Sequence, residues 1–238
     1  MSSLPSSPKP AGPVPSLFHV NRLLKILEAY VGTLQKTTLR QMDEGYHDPF
    51  HLLVACIISL RTKDAVTREA SRRLFEIVSR PADLAQTNPD RIAELIYPAG
   101  FYRTKSKQLN QIGRILVEEY HGKVPSTRED LMALPGVGRK TANLVLGLGF
   151  DTPAICVDTH VHRISQRLGW VRTKTPAETE AALELLLPRC WWIPVNDILV
   201  TFGQRVCLPR NPRCAQCPIQ SDCPKIGVDP NRESETPT

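Results

Sequence analysis

Four cysteines near one end of the chain constrain its fold more than any other feature. Cys207, Cys214, Cys217 and Cys223 lie in CLPRNPRCAQCPIQSDC, a C-x6-C-x2-C-x5-C spacing. Pro209, Pro212 and Pro218 punctuate the stretch, so it reads as a compact loop whose four thiolates wrap one metal centre. A thiolate is a soft ligand suited to iron–sulfur or zinc centres. Structural zinc sites usually present two C-x2-4-C knuckles across a longer spacer. Here there is one C-x2-C, with the outer cysteines standing off by six and five residues, a spread that suits the wider [4Fe–4S] cube. Arg205, Arg210 and Arg213 punctuate the loop and either solvate it or contact phosphate. Cys56, Cys156 and Cys190 sit in apolar surroundings and read as buried small hydrophobes.

The clustered spacing, an odd total of seven cysteines and the lack of a secretory signal argue for a reducing, cytoplasmic setting and metal ligation rather than disulfides. The Ser/Pro-rich start, 1–16, and the end, 227–238, are expected to be disordered tails. No run approaches the roughly 20 apolar residues that span a bilayer, so no membrane partner is expected. The longest, FHLLVACIISL at 50–60, has the length of a buried helix. A net charge of +6 favours a polyanionic partner, though modestly.

Helical signals recur and strand signals are nearly absent, which predicts an all-α protein of about ten helices. NRLLKILEAYV (21–31) has helical apolar spacing. DAVTREASRRLFEIVS (64–79) repeats it with Val66, Ala70, Leu74 and Ile77, and 105–120 with Leu109, Ile112, Leu116 and Tyr120. Asn88-Pro89 pairs an N-cap with an N1 proline, Ser126 with Glu129 forms a capping-box pattern, and Thr175-Pro176 with Glu178 does the same.

LPGVGRKTANLVL (134–146) reads as helix, turn, helix. Gly136 and Gly138 permit positive φ and close backbone approach. The turn's N–H groups and the next helix start make either a phosphate site or an ordinary helix–helix turn. Lys140 falls in the first turn of the second helix, where the dipole disfavours an ammonium. It is either an amine nucleophile or an exposed cation. Asp158, in CVDTHVHRI, follows an apolar segment and precedes a helical one, the place of an N-cap.

Together, in order and spacing, LPGVGRKTA, VDTH and the cysteine loop resemble the endonuclease III branch of the helix-hairpin-helix DNA glycosylases, over about residues 20–225. The resemblance implies an all-α, two-lobed fold. One lobe is a six-helix unit at 43–152, its hairpin at about 127–148. The other joins 17–42 to 153–226 and carries a [4Fe–4S] cluster on Cys207, Cys214, Cys217 and Cys223. Double-stranded DNA with a damaged base or abasic site lies across the cleft, its target nucleotide flipped inward. Lys140 becomes the nucleophile and Asp158 its carboxylate partner. Gly136, Gly138 and Arg139 grip the backbone.

The resemblance also implies a substrate. Ile57 stands where adenine-removing relatives carry a glutamate, and Lys140 where thymine-mismatch relatives often carry tyrosine. The expected activity is base excision of oxidised or ring-saturated pyrimidines, such as thymine glycol, with abasic-site lyase activity. A mismatch-specific or lyase-only relative, or a non-catalytic DNA-binding protein, is the alternative. Two positions depart from the family. Arg61 replaces a gap-filling glutamine, and Phe101 a wedge leucine. Arg61 either fills the gap or contacts phosphate, and Phe101 either stacks on bases or joins the core. Arg103, Lys105 and Lys107 form a basic DNA-facing loop or a solvated helix start, the first being favoured. His160 helps position Asp158 or the base, or is a satisfied helix-start histidine. A monomer is expected, nucleoid-associated if bacterial.

Overall fold

The computed structural model describes residues 15–34 and 48–229. Among them the secondary structure is helical and contains no strand, as the sequence predicts. The helices are α1 (Leu17–Gly32), α2 (Pro49–Ser59), α3 (Asp64–Phe75), α4 (Pro81–Gln86), α5 (Pro89–Ile96) and α6 (Tyr102–Glu118). They continue with α7 (Arg128–Ala133), α8 (Arg139–Leu144), α9 (Thr159–Arg167), α10 (Pro176–Leu186) and α11 (Pro194–Arg205). A π-helical segment, Val145–Gly149, extends α8. The chain divides into two compact units, Met1–Lys36 with Ile155–Thr238, and Thr37–Ala154. Most of both expected tails lies outside the described residues; Ser16, counted with the first, caps α1 by accepting from the His19 N–H.

The Thr37–Ala154 unit is built around α2. Phe50 and every residue from Leu52 to Ile58 are buried, so this helix has no polar face beyond its first turn. Asp48 caps it, accepting from the His51 N–H, and Pro49 takes N1. Leu74 of α3 and Leu109, Ile112 and Leu116 of α6 share its core without exposure, as do Leu84 of α4 and Ile92 and Ile96 of α5, the helices that pack on α6. Helix α3 ends at Phe75, short of the predicted face, and Ile77 is consequently exposed. Asn88 caps α5 as predicted. Helix α7 is capped by Thr127 with Asp130, one residue beyond the predicted Ser126–Glu129 pair. Both pairs offer a hydroxyl and an acid three residues on; the observed one accompanies full burial of Leu131.

In the other unit, α1 contributes Val20, Leu23, Leu24 and Leu27, packed with Ile164 of α9, Leu183 of α10 and Ile198, Leu199 and Phe202 of α11. Trp191 Nε1 donates to Asn21 Oδ1 at 2.7 Å, and Arg22 pairs with Asp222, so the N-terminal helix is tied to residues 170 and 200 positions away. Thr175 caps α10 above Pro176, as predicted, while the Glu178 carboxylate takes the N–H of Lys174.

Helices α4 and α6 meet at Gly113, where an added Cβ would lie 2.6 Å from Ala85 N and 3.0 Å from Pro81 O. Backbone cannot yield as a side chain tip does, so Gly113→Ala is expected to destabilise the protein by roughly 1–3 kcal/mol. Gly32→Ala, where a Cβ meets open space, should be neutral or slightly stabilising. Urea unfolding of both variants measures the difference.

Candidate active site and metal centre

The four loop cysteines form no disulfide, are half-buried and line one hollow, partly open to solvent, with about 420 Å³ of space between atoms. Ile164, Phe202, Val206 and Ile219 supply its apolar wall. Among the described residues, no group of three or more His, Cys, Asp or Glu could hold a single metal ion. The donor set, four thiols lining a partly apolar hollow, fits a polynuclear iron–sulfur centre. Burial pushes the Cys217 and Cys223 thiols above their ordinary range, so a cationic centre must displace their protons. Cys56 and Cys156 are buried as expected; burial lifts the Cys56 thiol to about 12, despite the nearby charge of Lys140. Cys190 is exposed, contrary to expectation, because it sits on a short 3-10 turn whose inward residue is Trp191.

Helix α9 organises this loop. Arg167 donates to Leu208 O at 2.6 Å, Pro209 O at 2.9 Å and Cys207 Sγ at 3.3 Å. Arg163 donates to Cys207 O at 2.8 Å and Gly203 O at 3.3 Å, and meets His160 Nδ1 at 3.0 Å. Backbone N–H of Lys225 reaches Cys223 Sγ at 3.4 Å. Such N–H donors stabilise the negative charge of thiolate sulfur. At the other end of α9, Asp158 is the N-cap, as its sequence position predicts. Its Oδ1 accepts from His160 N at 2.8 Å and Val161 N at 2.9 Å. Both bonds fall on one oxygen, so the second is not needed for capping. His160 is half-buried, its backbone in that cap and its ring against Arg163. Gly203 makes this packing possible, since a Cβ there would lie 2.5 Å from His160 Nδ1.

The hairpin belongs to the other unit. Gly136 has φ +77°, the left-handed conformation that favours glycine, with the Gln108 side chain packed over it. Gly138 departs from expectation: its φ of −97° needs no glycine, and a Cβ there would meet open space. It is the N-cap of α8, and no side chain caps that helix start. Arg139 and Lys140 follow in the first turn, both exposed. Their exposure beside the glycine turn suits approach of a polyanion.

Arg61 and Phe101 also come together in this unit. Each has a left-handed backbone, φ 52° and 57°, which costs a non-glycine residue roughly 1–2 kcal/mol. The Arg61 guanidinium carbon lies 5.6 Å from the Phe101 ring centroid. Phe101 is 63% exposed, so it is not core. Arg103 and Lys107 are exposed on α6, and Arg103 lies over the Tyr102 ring. Lys105 corrects the expectation of a DNA-facing loop. It is 3% exposed, points inward from α6, and donates to Ile58 O, Leu60 O and Thr62 Oγ1. Burial lowers its ammonium to about 8. The helical period explains the error: Arg103 and Lys107 share the outer face, and Lys105 lies opposite.

Comparison with known proteins now bears on these residues. Residues 54–189 match the model of the HhH-GPD superfamily base excision DNA repair protein. Residues 207–223 match the iron–sulfur binding domain of endonuclease III. An endonuclease III of Thermotoga maritima is 52% identical over 176 residues, covering 74% of this chain and 83% of that protein. The chain belongs to the endonuclease III family of base excision repair DNA glycosylases. Its cofactor is the family's [4Fe–4S] cluster. A solved non-covalent endonuclease III–DNA complex matches with a TM-score of 0.79 and 32% identity over 89% of this chain and 96% of that one. A trapped endonuclease III–DNA covalent intermediate matches at 0.77 and 31%, over 89% and 97%. The chain spans 48% of the length of the chloroplastic homologues of Arabidopsis thaliana that it also matches. Among the described residues no helix is long and apolar enough to cross a membrane.

Sequence reasoning passed over Arg163 and Arg167. The spacing of four between them was a usable signal, because it puts both on one face of the helix that Asp158 caps. Asp158→Ala should lower stability by about 1 kcal/mol through the lost cap. Asp158→Asn retains a capping oxygen and should leave the melting temperature close to wild type, which calorimetry would check.

Proposed function

We propose that this protein is a bifunctional DNA glycosylase and abasic-site lyase that removes oxidised or ring-saturated pyrimidines, thymine glycol among them, from double-stranded DNA. The observation that carries the reading is Lys140, exposed in the first turn of a helix that begins at a glycine hairpin without a side-chain cap. A helix start attracts phosphate, so the same feature holds the DNA backbone and sets the exposed Lys140 amine beside it. Gly136, Gly138 and Arg139 serve the first role and Lys140 the second.

The chemistry follows from an amine at the sugar. Lys140 Nζ attacks C1′ of the flipped nucleotide, and the glycosidic C–N bond breaks with its electron pair leaving on the base. Opening of the sugar at O4′ gives an imine between Nζ and C1′. The imine withdraws electrons, so a proton leaves C2′. That electron pair forms the C2′–C3′ double bond as the C3′–O bond to phosphate breaks. Asp158 stabilises the positive charge developing on the sugar and takes part in the proton transfers, with the oxygen that capping does not use. Cys207, Cys214, Cys217 and Cys223 would hold the cluster and so fix the course of the loop that bears Arg210 and Arg213. The solved relative trapped in covalent linkage to DNA supports a covalent route. Ile57, fully buried and apolar, offers no acid to protonate a purine, which supports a pyrimidine substrate.

Borohydride reduces an imine to a stable amine, so the reading predicts a covalent protein–DNA adduct with duplexes bearing thymine glycol or an abasic site. Lys140→Ala should abolish both adducts while retaining DNA binding. An adduct on the abasic site alone would keep the lyase and move the search to other bases. Tight binding with no adduct on either would overturn the imine mechanism in favour of a monofunctional enzyme or a binding protein.

A further inference from the structure

Lys105 presents a buried charge that the repair chemistry does not use. Helix α2 ends at Ser59; Ile57 O takes the N–H of Leu60 and Ser59 O that of Thr62, while Ile58 O and Leu60 O are met from α6. The Lys105 ammonium reaches Ile58 O at 2.7 Å, Leu60 O at 2.5 Å and Thr62 Oγ1 at 2.9 Å. Three acceptors match the three N–H donors of an ammonium. Thr62 Oγ1 also takes the N–H of Gly100 at 3.1 Å. Gly100 packs so tightly that a Cβ would lie 2.3 Å from Arg61 O. One ammonium and one hydroxyl thus pin two distant loops together. Each loop carries one exposed left-handed residue, Arg61 and Phe101, with the cation over the ring.

Resting on the glycosylase reading above, we propose that Lys105 is a positioning residue that holds Arg61 and Phe101 as one two-pronged wedge, which fills the base-stack gap left by an extruded nucleotide. The pair suits that space. Phe101 offers a ring to stack on neighbouring bases, and Arg61 offers a flat fork of donors to the orphaned base. A stacked pair on a mobile base would fold back on itself. The Lys105–Thr62–Gly100 knot prevents this by fixing both backbones in conformations they would not adopt alone. Lys105 is then no phosphate contact.

The test uses full-length, cluster-loaded protein and a duplex carrying 2-aminopurine opposite a tetrahydrofuran abasic analogue. Its fluorescence reports entry of a wedge without requiring catalysis. Single-turnover cleavage of a true abasic site, in duplex and in single strand, runs alongside. Lys105→Met and Thr62→Val should diminish the fluorescence change and slow duplex cleavage by about tenfold or more, as misplaced contacts do. Single-strand cleavage should be unchanged, because no stack has to be filled. Thr62→Ser, which keeps the hydroxyl, should restore the duplex rate. In an Arg61→Ala/Phe101→Ala background, Lys105→Met should add nothing further. If Lys105→Met does not fold, Thr62→Val carries the test, since it leaves the ammonium its two carbonyls. Equal losses on both substrates, additive losses in the wedge-less background, or a salt-dependence slope reduced by about one for Lys105→Met would overturn the proposal. A wild-type protein that alters 2-aminopurine fluorescence but yields no borohydride adduct would retain the wedge and discard the lyase reading. One that forms the adduct without the fluorescence change would do the reverse.

Discussion

A helix apolar on almost every side must be enclosed on every side. That is the constraint from which the Thr37–Ala154 unit follows. Helix α2 buries Phe50 and everything from Leu52 to Ile58, so α3, α6, α8 and the π-helical segment Val145–Gly149 pack against it, and α4 and α5 extend the same core by packing on α6. At roughly 1.5–3 kcal/mol for each large side chain buried, this packing outweighs the local preferences of the surrounding short helices. Enclosure also creates a problem at the helix end, where carbonyls lose water before they gain partners. Lys105 answers it from α6, and the two exposed left-handed residues lie beside that answer.

The other unit depends on a different device. Its chain segments come from both ends of the sequence, and its metal loop has little regular structure beyond two short 3-10 turns. Helix α9 supplies the order. It is capped by Asp158 at one end and sends Arg163 and Arg167 to the carbonyls and sulfur of the loop at the other. A carboxylate proposed for chemistry and a loop that binds a cluster are thereby carried by one helix. The physical consequence is that α9 cannot shift toward one without disturbing the other. Gly203 allows this packing by having no side chain to meet His160.

Much of the site was readable because its signals are local. The cap at Asp158, the positive φ at Gly136 and the caps at Asn88 and Thr175 each depend on residues within one turn of each other, and the cysteine spacing lies within the single segment 207–223. Errors arose where the deciding contact was distant. Lys105 looked like a surface cation among Arg103 and Lys107 until its acceptors, more than forty residues upstream, were known. Ser126 and Thr127 offered equivalent caps locally. Cys190 sat in an apolar segment, but the turn buries Trp191 instead.

By itself, then, the sequence determined that the chain is all-α, that it belongs with the helix-hairpin-helix repair proteins, and that four cysteines serve one iron–sulfur centre. The first follows from periodicity and capping and the last from ligand spacing, which act over a few residues; the second rests on the resemblance of three motifs taken in order along the chain. Only the tertiary structure decided which cation goes inside, which arginines hold the cluster loop, and that Arg61 and Phe101 form a stacked pair. Those outcomes turn on burial and on hydrogen bonds between segments far apart in the chain. Their only local trace is the helical spacing that sets Arg163 with Arg167, and Lys105 opposite Arg103 and Lys107.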